Sequence, residues 1–442
     1  MLIIRQQISS FLSLFWPKTI CTDSSNYTRF TATFDGMKNL EAKKSTLGFI
    51  FITILIDCIG FGIVIPVLPD LIKEISGKSV GEASEYGSLL LVAYSIAQYL
   101  FSPIVGGLSD KFGRRPILLI SLLGLGIDYI FLSFAPTLAW LFIGRVIAGI
   151  TGASFTTAMA YIADISTPEK KAQNFGMIGV AFGIGFVVGP LLGGLFSNMG
   201  LRVPFMLAAG LSLLNFLYGY FILPESLAQN KRRDFSWKRA NPIGSIVSAS
   251  KYPAIIGLVF ALFLLYTASH SVQSNWGYYV MEKFNWNSSM IGYSLAIVGV
   301  AVAIVQGGLI RIVIPKIGSK KAIILGLSLY IVGFACFAFA PNGLMMMVFI
   351  LPYCLAGIGN PAMQTIISNQ VPDNAQGEIQ GIVTAMQSAG AIFGPISMAF
   401  IFAHFIDKSN NAIYFPGAPF IFSVILTLGA LIITIFTLRK HH

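Results

Sequence analysis

Charge is scarce in this chain, and that scarcity identifies its solvent. Asp, Glu, Lys and Arg together make up 11% of the 442 residues, against 55% hydrophobic. An ordinary soluble domain carries about 25% charged residues. A water-facing surface of this size could not be covered with so few, so most of the chain must face lipid. Histidine and cysteine are scarce as well. Of four histidines, His441 and His442 close the sequence, and none stands near a cysteine or an acid cluster. Cys21, Cys58, Cys336 and Cys354 lie far apart with no CxxC pair. These absences argue against a metal site, a disulfide framework and the convergent nucleophile and base of an enzyme.

What is abundant is the long apolar run. A spanning helix needs roughly 20 mostly apolar residues. Twelve stretches qualify, near 46–68, 86–107, 116–135, 138–163, 173–198, 203–223, 253–281, 289–313, 320–340, 343–368, 377–404 and 417–438. They are apolar all round rather than alternating, which predicts helices and not strands. Asp70 to Glu85 reads as a loop between the first two spans.

The net charge of +11 suggests a nucleic-acid partner, but its distribution argues against one. Basic residues fall in alternate loops: Lys111, Arg114 and Arg115; Lys170 and Lys171; Lys231 to Arg239; Lys316, Lys320 and Lys321. Lys38, Lys43 and Lys44 precede the first span, and Arg439 and Lys440 follow the last. Such loops stay cytoplasmic, so both termini are expected inside, as an even number of spans requires. Residues 1–45 read as an N-terminal cytoplasmic segment without a clear signal peptide. Met37 opens a short basic lead directly before the first span and is an alternative translation start, which the mass of the native N-terminus would decide.

One offset, 205 residues, aligns several landmarks. Gly113 maps to Gly318, Arg115 to Lys320, Phe134-Ala135-Pro136 to Phe339-Ala340-Pro341, Gly152 to Gly357 and Gly176 to Gly381. Gly185-x-x-x-Gly189-Pro190 maps to Gly390-x-x-x-Gly394-Pro395. Six anchors at one offset indicate an internal repeat. Its unit is six helices, so the halves, 46–223 and 253–438, share one topology, with 224–252 as the cytoplasmic linker.

Motifs supply the mechanism. Gly106-Gly107-Leu108-Ser109-Asp110-Lys111-Phe112-Gly113-Arg114-Arg115 stands between the second and third spans. Asp110 and Arg114 are placed to form a charge-assisted pair. This loop resembles the signature of the major facilitator superfamily. The second half keeps a decayed copy, Gly307-Gly308-Leu309 with Gly318, lacking the aspartate. Leu141-x-x-x-Arg145-x-x-x-Gly149 resembles a second motif of that family. An arginine at this depth costs at least ~2.5 kcal/mol unless partnered, so it should face the cavity. The resemblance also implies that Asp164 joins Asp110 and Arg114 in a gate with Gly106, Gly113 and Arg115; a static salt bridge is the alternative. Gly185, Gly189, Pro190, Gly193 and Gly194 form a small-residue face for close helix contact. The same run resembles the motif of the family's antiporters.

The remaining intramembrane polar groups are Asp57, Asp128, Gln98, His270, Gln273, Gln306, Asn360, Gln364 and Gln387. With Arg145 they make a set able to line a substrate cavity. Asp57 is the first choice for proton coupling and Asp128 for coupling or substrate contact; a satisfied interhelical hydrogen bond is the other reading of each. For His270 packing is the stronger reading. The first half, from Asp57-Cys58-Ile59-Gly60 through Gly194, resembles the tetracycline/proton antiporters in particular, as does Phe284 to Ala296. The resemblance implies an all-α, twelve-helix membrane fold in a bacterial inner membrane. It implies a monomeric, proton-driven exporter of a small drug-like or amphiphilic compound, tetracycline among the candidates, with no resident cofactor. In that subfamily the drug travels as a divalent-metal chelate. One departure is evident: that subfamily has an aspartate in the ninth helix, where this chain reads Gly326-Leu327-Ser328-Leu329-Tyr330. A proton-linked importer of a sugar or other metabolite is the alternative on the same fold.

Overall fold

The computed structural model describes residues 24–152, 154–166, 171–235, 253–370, 376–407 and 413–440. Residues 1–23 of the N-terminal segment and 236–252 of the linker, with Lys238 and Arg239, lie outside the described residues. Twelve described helices are long and apolar enough to cross a membrane. They are α1 (Leu47–Ser76), α2 (Val80–Phe112), α3 (Arg114–Phe134), α4 (Leu138–Ile165), α5 (Gly179–Ser197) and α6 (Val203–Ile222). They continue with α7 (Ile255–Gln273), α8 (Ser288–Ile317), α9 (Ser319–Phe339), α10 (Gly343–Ser368), α11 (Ile382–Ile406) and α12 (Ala418–Arg439). The outward faces carry Phe221, Leu344, Phe400 and Phe436, all well exposed. Soluble monomers rarely expose so much apolar surface, and here lipid supplies the cover.

Two boundaries differ from the sequence reading. The expected loop from Asp70 to Glu85 shrinks to three residues, Gly77 to Ser79, because α1 continues to Ser76 and α2 begins at Val80. The polar residues there leave the hydrocarbon but stay helical. A capping box explains the start of α2: the Ser79 hydroxyl accepts from the Glu82 amide, and the Glu82 carboxylate accepts from the Ser79 amide. The seventh span ends at Gln273, and a separate short helix, Trp276–Phe284, follows. Asn285 stops that helix in the left-handed conformation, φ 54°.

The repeat is visible in backbone detail. Ala135 and Ala340 end α3 and α9 with nearly equal dihedrals, φ −59° and ψ 117° against φ −55° and ψ 119°. Gly113 and Gly318 open the same helices with positive φ, 106° and 78°, which only glycine adopts readily. Helix α4 is interrupted at Gly152, and α10 by a short 3₁₀ turn over Ala356–Ile358, centred on Gly357. The second half adds a π turn of its own at Val305–Leu309 in α8.

Glycines set the closest helix crossings. A side chain at Gly185, Gly189 or Gly193 of α5 would strike Cys58, Ile59, Gly62 or Ile63 of α1. Gly390 and Gly394 of α11 press in the same manner on Tyr266 and His270 of α7. Contacts between residues 51–235 and 253–440 gather at one end of the bundle. There Pro69 meets Gly277, Gly81 meets Ala403 and Ile406, Gly87 meets Tyr278, and Gly194 meets Ser288, Ser289 and Gly292. Toward the basic loops, Gly106, Gly179, Gly183, Gly307 and Gly308 have nothing within 4 Å of a built side-chain carbon. Among the described residues, the halves meet at the end away from the basic loops and leave these glycines open at the other.

Candidate functional site

The gate is assembled first by a helix end. Arg114 opens α3 immediately after Gly113, so its side chain returns across the turn toward α2. Its guanidinium bridges two carboxylates, 2.6 Å from Asp110 and 3.0 Å from Asp164, and donates to the Ser109 hydroxyl. Arg114 is only 12% exposed, so little water competes for it. Sequence reasoning missed Glu225, which lies just beyond α6. Its carboxylate accepts from the backbone amides of Arg114 and Arg115, the unsatisfied donors at the start of α3. Arg115 itself donates to the Tyr220 carbonyl, and Ser226 donates to Asp164. Gly106 packs against nothing here, whereas Gly107 lies against Phe235. A sequence clue to Glu225 existed: it is a lone acid just after the sixth span, beside a basic turn.

Deeper in the first half, Arg145 of α4 donates through both Nε and Nη2 to Asp128 of α3. Asp128 is fully buried and Arg145 is 7% exposed by side chain. Gly144 permits this contact, because a carbon added there would lie 2.8 Å from Asp128 Oδ1. The arginine also lies over the Tyr94 ring, 6.0 Å from its centroid. Gln98 of α2 donates to the Tyr94 hydroxyl and to the Gly152 carbonyl. Asp57 of α1 interacts electrostatically with Tyr94, Tyr129 and Cys58. Asp57, Tyr94, Gln98, Tyr129, Asp128 and Arg145 therefore form one polar cluster on four helices. Tyr94 and Tyr129 were not picked from the sequence, since aromatic residues in apolar spans carry no distinguishing pattern.

The second half contributes differently. Gln273, which donates to the Ser269 hydroxyl, lines a cavity with Arg145, Phe61, Trp276 and Tyr278. Asn360 and Gln364 stand one turn apart on α10, Asn360 beside Tyr330 and Gln364 beside Tyr266. His270 is packed against Gly394, with no hydrogen-bond partner for its buried Nδ1 among the described residues. Gln306 and Gln387 are exposed, the former inside the π turn. Of the predicted cavity set, Gln98, Arg145, Gln273, Asn360 and Gln364 thus lie against polar neighbours or line the cavity.

At the closed end, the Ser288 hydroxyl of α8 donates to Asp70 of α1. Tyr278 packs on Gly87; burial first, and the neighbouring Asp70 carboxylate second, push its hydroxyl well above the usual phenol range. It stays protonated at any physiological pH. Ser289 donates to the Gly194 carbonyl and the Asn198 amide oxygen.

Twelve spans in two matching sixes, with a buried polar cluster in the first, define a secondary transporter. The Major Facilitator Superfamily profile matches residues 50–395 and 258–442. The chain is 38% identical over 366 residues to the class C tetracycline resistance protein of Escherichia coli, covering 83% of this chain and 92% of that one. It is 35% identical over 373 residues to the class E protein of Escherichia coli, covering 84% and 91%. Among solved structures, the human organic anion transporter MFSD10 (TETRAN) superposes with a TM-score of 0.65 at 20% identity, over 89% of this chain and 99% of that one. This chain belongs to the major facilitator superfamily. It is a multi-pass membrane transporter and not an enzyme.

Proposed function

We propose that this protein is a proton-coupled antiporter that exports a small amphiphilic drug, tetracycline among them, from a bacterial inner membrane. The observation that carries the reading is the cluster joining Asp57, the Asp128–Arg145 pair and Tyr94 in the first half, in a chain whose curated relatives are tetracycline resistance proteins. Asp57 carries the transported proton, and Asp128 holds the arginine that faces the cavity. With the basic loops and both termini in the cytoplasm, the parted end faces inward, ready to load substrate. Export then needs the Ser288–Asp70 and Tyr278–Gly87 contacts to open while the opposite end closes. The halves, 46–223 and 253–438, act as the two rocking bodies, and one chain suffices. The proton gradient drives the cycle without a resident cofactor, and a divalent cation enters only as part of a chelated substrate.

Expression in an efflux-deficient bacterium should raise tetracycline tolerance, and inverted vesicles should accumulate the drug when their lumen is acid. Accumulation that survives collapse of the pH gradient would refute proton coupling. Uptake into whole cells would instead favour the importer.

The closed end offers its own test. A side-chain carbon at Gly87 would sit 2.0 Å from the Tyr278 hydroxyl oxygen. Gly87→Val should therefore disfavour closure. A cysteine placed at Ser274, which lines the cavity, should then react about tenfold faster with an impermeant thiol reagent added outside, for a bias of one decade in the open population. An unchanged rate would remove this contact from the transport cycle.

A further inference from the structure

Helices α5 and α8 belong to different halves and cross tightly near the closed end. A side-chain carbon at Gly299 of α8 would sit 2.7 Å from Val187 of α5, and one at Gly292 would sit 3.0 Å from Gly194. Toward the basic loops the two helices part. A carbon at Gly179 or Gly183 of α5, or at Gly307 or Gly308 of α8, would meet nothing within 4 Å. The parting leaves a groove of about 420 Å³, whose walls include Gly183, Ile184 and Val187 of α5 and Val300, Ala303 and Ile304 of α8. Ile184, Val300 and Ile304 are exposed, so the groove is continuous with the lipid-facing surface.

The repeat shows what the matching place in the first half holds. There the chain covers itself. Phe235 lies on Gly107, with a ring carbon 2.9 Å from a built side-chain carbon, and the Asp234 carboxylate stands 3.9 Å from the Lys111 ammonium. Gly307-Gly308-Leu309 is the second copy of Gly106-Gly107-Leu108, and Lys316 is the residue 205 positions after Lys111. No described residue covers Gly307 or Gly308. Seven residues carry the chain from Gly106 to Gly113, but eleven carry it from Gly307 to Gly318. The π turn at Val305–Leu309 opens this longer stretch, and such turns recur at functional sites. The longer stretch also brings in Arg311. Arg311 and Lys316 are both exposed, and neither has an ion pair among the described residues.

An apolar groove that ends in two unpaired cations fits a molecule with a long alkyl part and an anionic head. Val300 and Arg311 are separated by about 16 Å of helix at 1.5 Å per residue. One leaflet contributes about 15 Å to the hydrocarbon core, so the groove and its cations are spaced as a lipid chain and its headgroup are. Basic pockets between spanning helices on the cytoplasmic side take anionic headgroups.

We propose that the α5–α8 groove seats one acyl chain of an anionic phospholipid from the leaflet beside the basic loops, with its phosphate held by Arg311 and Lys316. The lipid does in the second half what Phe235 and Asp234 do in the first. Because the walls come from both halves, a seated chain holds their inner ends apart and must leave before that end closes. The inference takes from the export reading only the cytoplasmic side of the basic loops, and it holds equally for an importer.

The test is native mass spectrometry of the delipidated full-length chain, titrated with phosphatidylglycerol or with phosphatidylcholine of the same chains. The wild type should retain one phosphatidylglycerol in preference. Arg311→Gln and Lys316→Gln should each weaken that lipid about fivefold, the worth of one basic residue near an anionic headgroup, and leave phosphatidylcholine unchanged. Ala303→Phe fills the groove and should weaken both. All three side chains lie on the surface, so thermal stability without lipid should not change. Phosphatidylglycerol with a photoreactive chain should label the peptide that holds Val300 to Ile304. In proteoliposomes it should slow labelling of Ser274→Cys from outside, and Lys316→Gln should remove the slowing. Equal retention of both lipids by the wild type, unchanged affinity in both charge variants, or label spread evenly over the lipid-facing helices would overturn the seat. Displacement of the lipid by tetracycline would overturn it too, by making the groove a drug path, and an unaltered labelling rate would overturn the wedge. Lipid binding and photolabelling need no gradient and no transported compound, so a failure of proton-driven export leaves them standing.

Discussion

Asp57→Asn should lower proton-driven export by about a hundredfold or more, the scale on which a positioned proton-transfer group contributes, while substrate still binds. Asp57 lies about a third of the way along α1, partly accessible, among Tyr94, Tyr129 and Cys58. Asp128 is committed to Arg145, which leaves Asp57 to take up and release the proton. The substitution keeps shape and removes only that capacity. The measurement is drug accumulation in inverted vesicles under a pH gradient, set beside drug–drug exchange without one. Loss of the first with retention of the second is the expected pair. Full gradient-driven accumulation would take the proton role away from Asp57.

The second large effect is on stability. Arg145→Leu leaves the fully buried Asp128 without its counter-ion. Breaking a buried pair from one side costs about 3–5 kcal/mol, most of it from the stranded charge. The variant should accumulate poorly and elute as aggregate on size exclusion in detergent. Adding Asp128→Asn neutralises the stranded group and should restore a monodisperse, folded protein without restoring transport. A single variant as well behaved as the wild type would show that the pair contributes little to the fold. Gly144→Ala probes the same contact more gently, since the added carbon presses on Asp128 Oδ1. It should cost about 1–3 kcal/mol, as overpacking typically does.

The twelve spans and their grouping were legible because lipid imposes a one-dimensional rule, a long apolar run for every crossing. The Asp110–Arg114 pair was legible because four residues separate its members. Partners farther apart in the chain were not. Asp128 and Arg145 stand on neighbouring antiparallel helices, and no pattern marks which acid faces which base. Asp128 was read for coupling or substrate contact, with a satisfied interhelical bond as the other reading, and the packing of α3 on α4 gives it Arg145 as that partner. Asp70 was read as the edge of a loop. Yet the S-x-x-E pattern at Ser79–Glu82 already signalled that α2 starts early, which keeps α1 helical through Asp70 and brings it to Ser288. Asn360 and Gln364 stood out as amides in an apolar span, and the tyrosines beside them, Tyr330 and Tyr266, did not.

The stretch after α6 has a practical consequence. Residues Glu225 to Phe235 are not a free tether. Glu225 caps α3, the Arg233 amide donates to the Asp110 carbonyl, and Phe235 covers Gly107. A gene divided into two cistrons at Leu223 would strip the first fragment of its own clasp. Division beyond Phe235 would leave the clasp in place, and two fragments cut there and produced together should reassemble into an active pump.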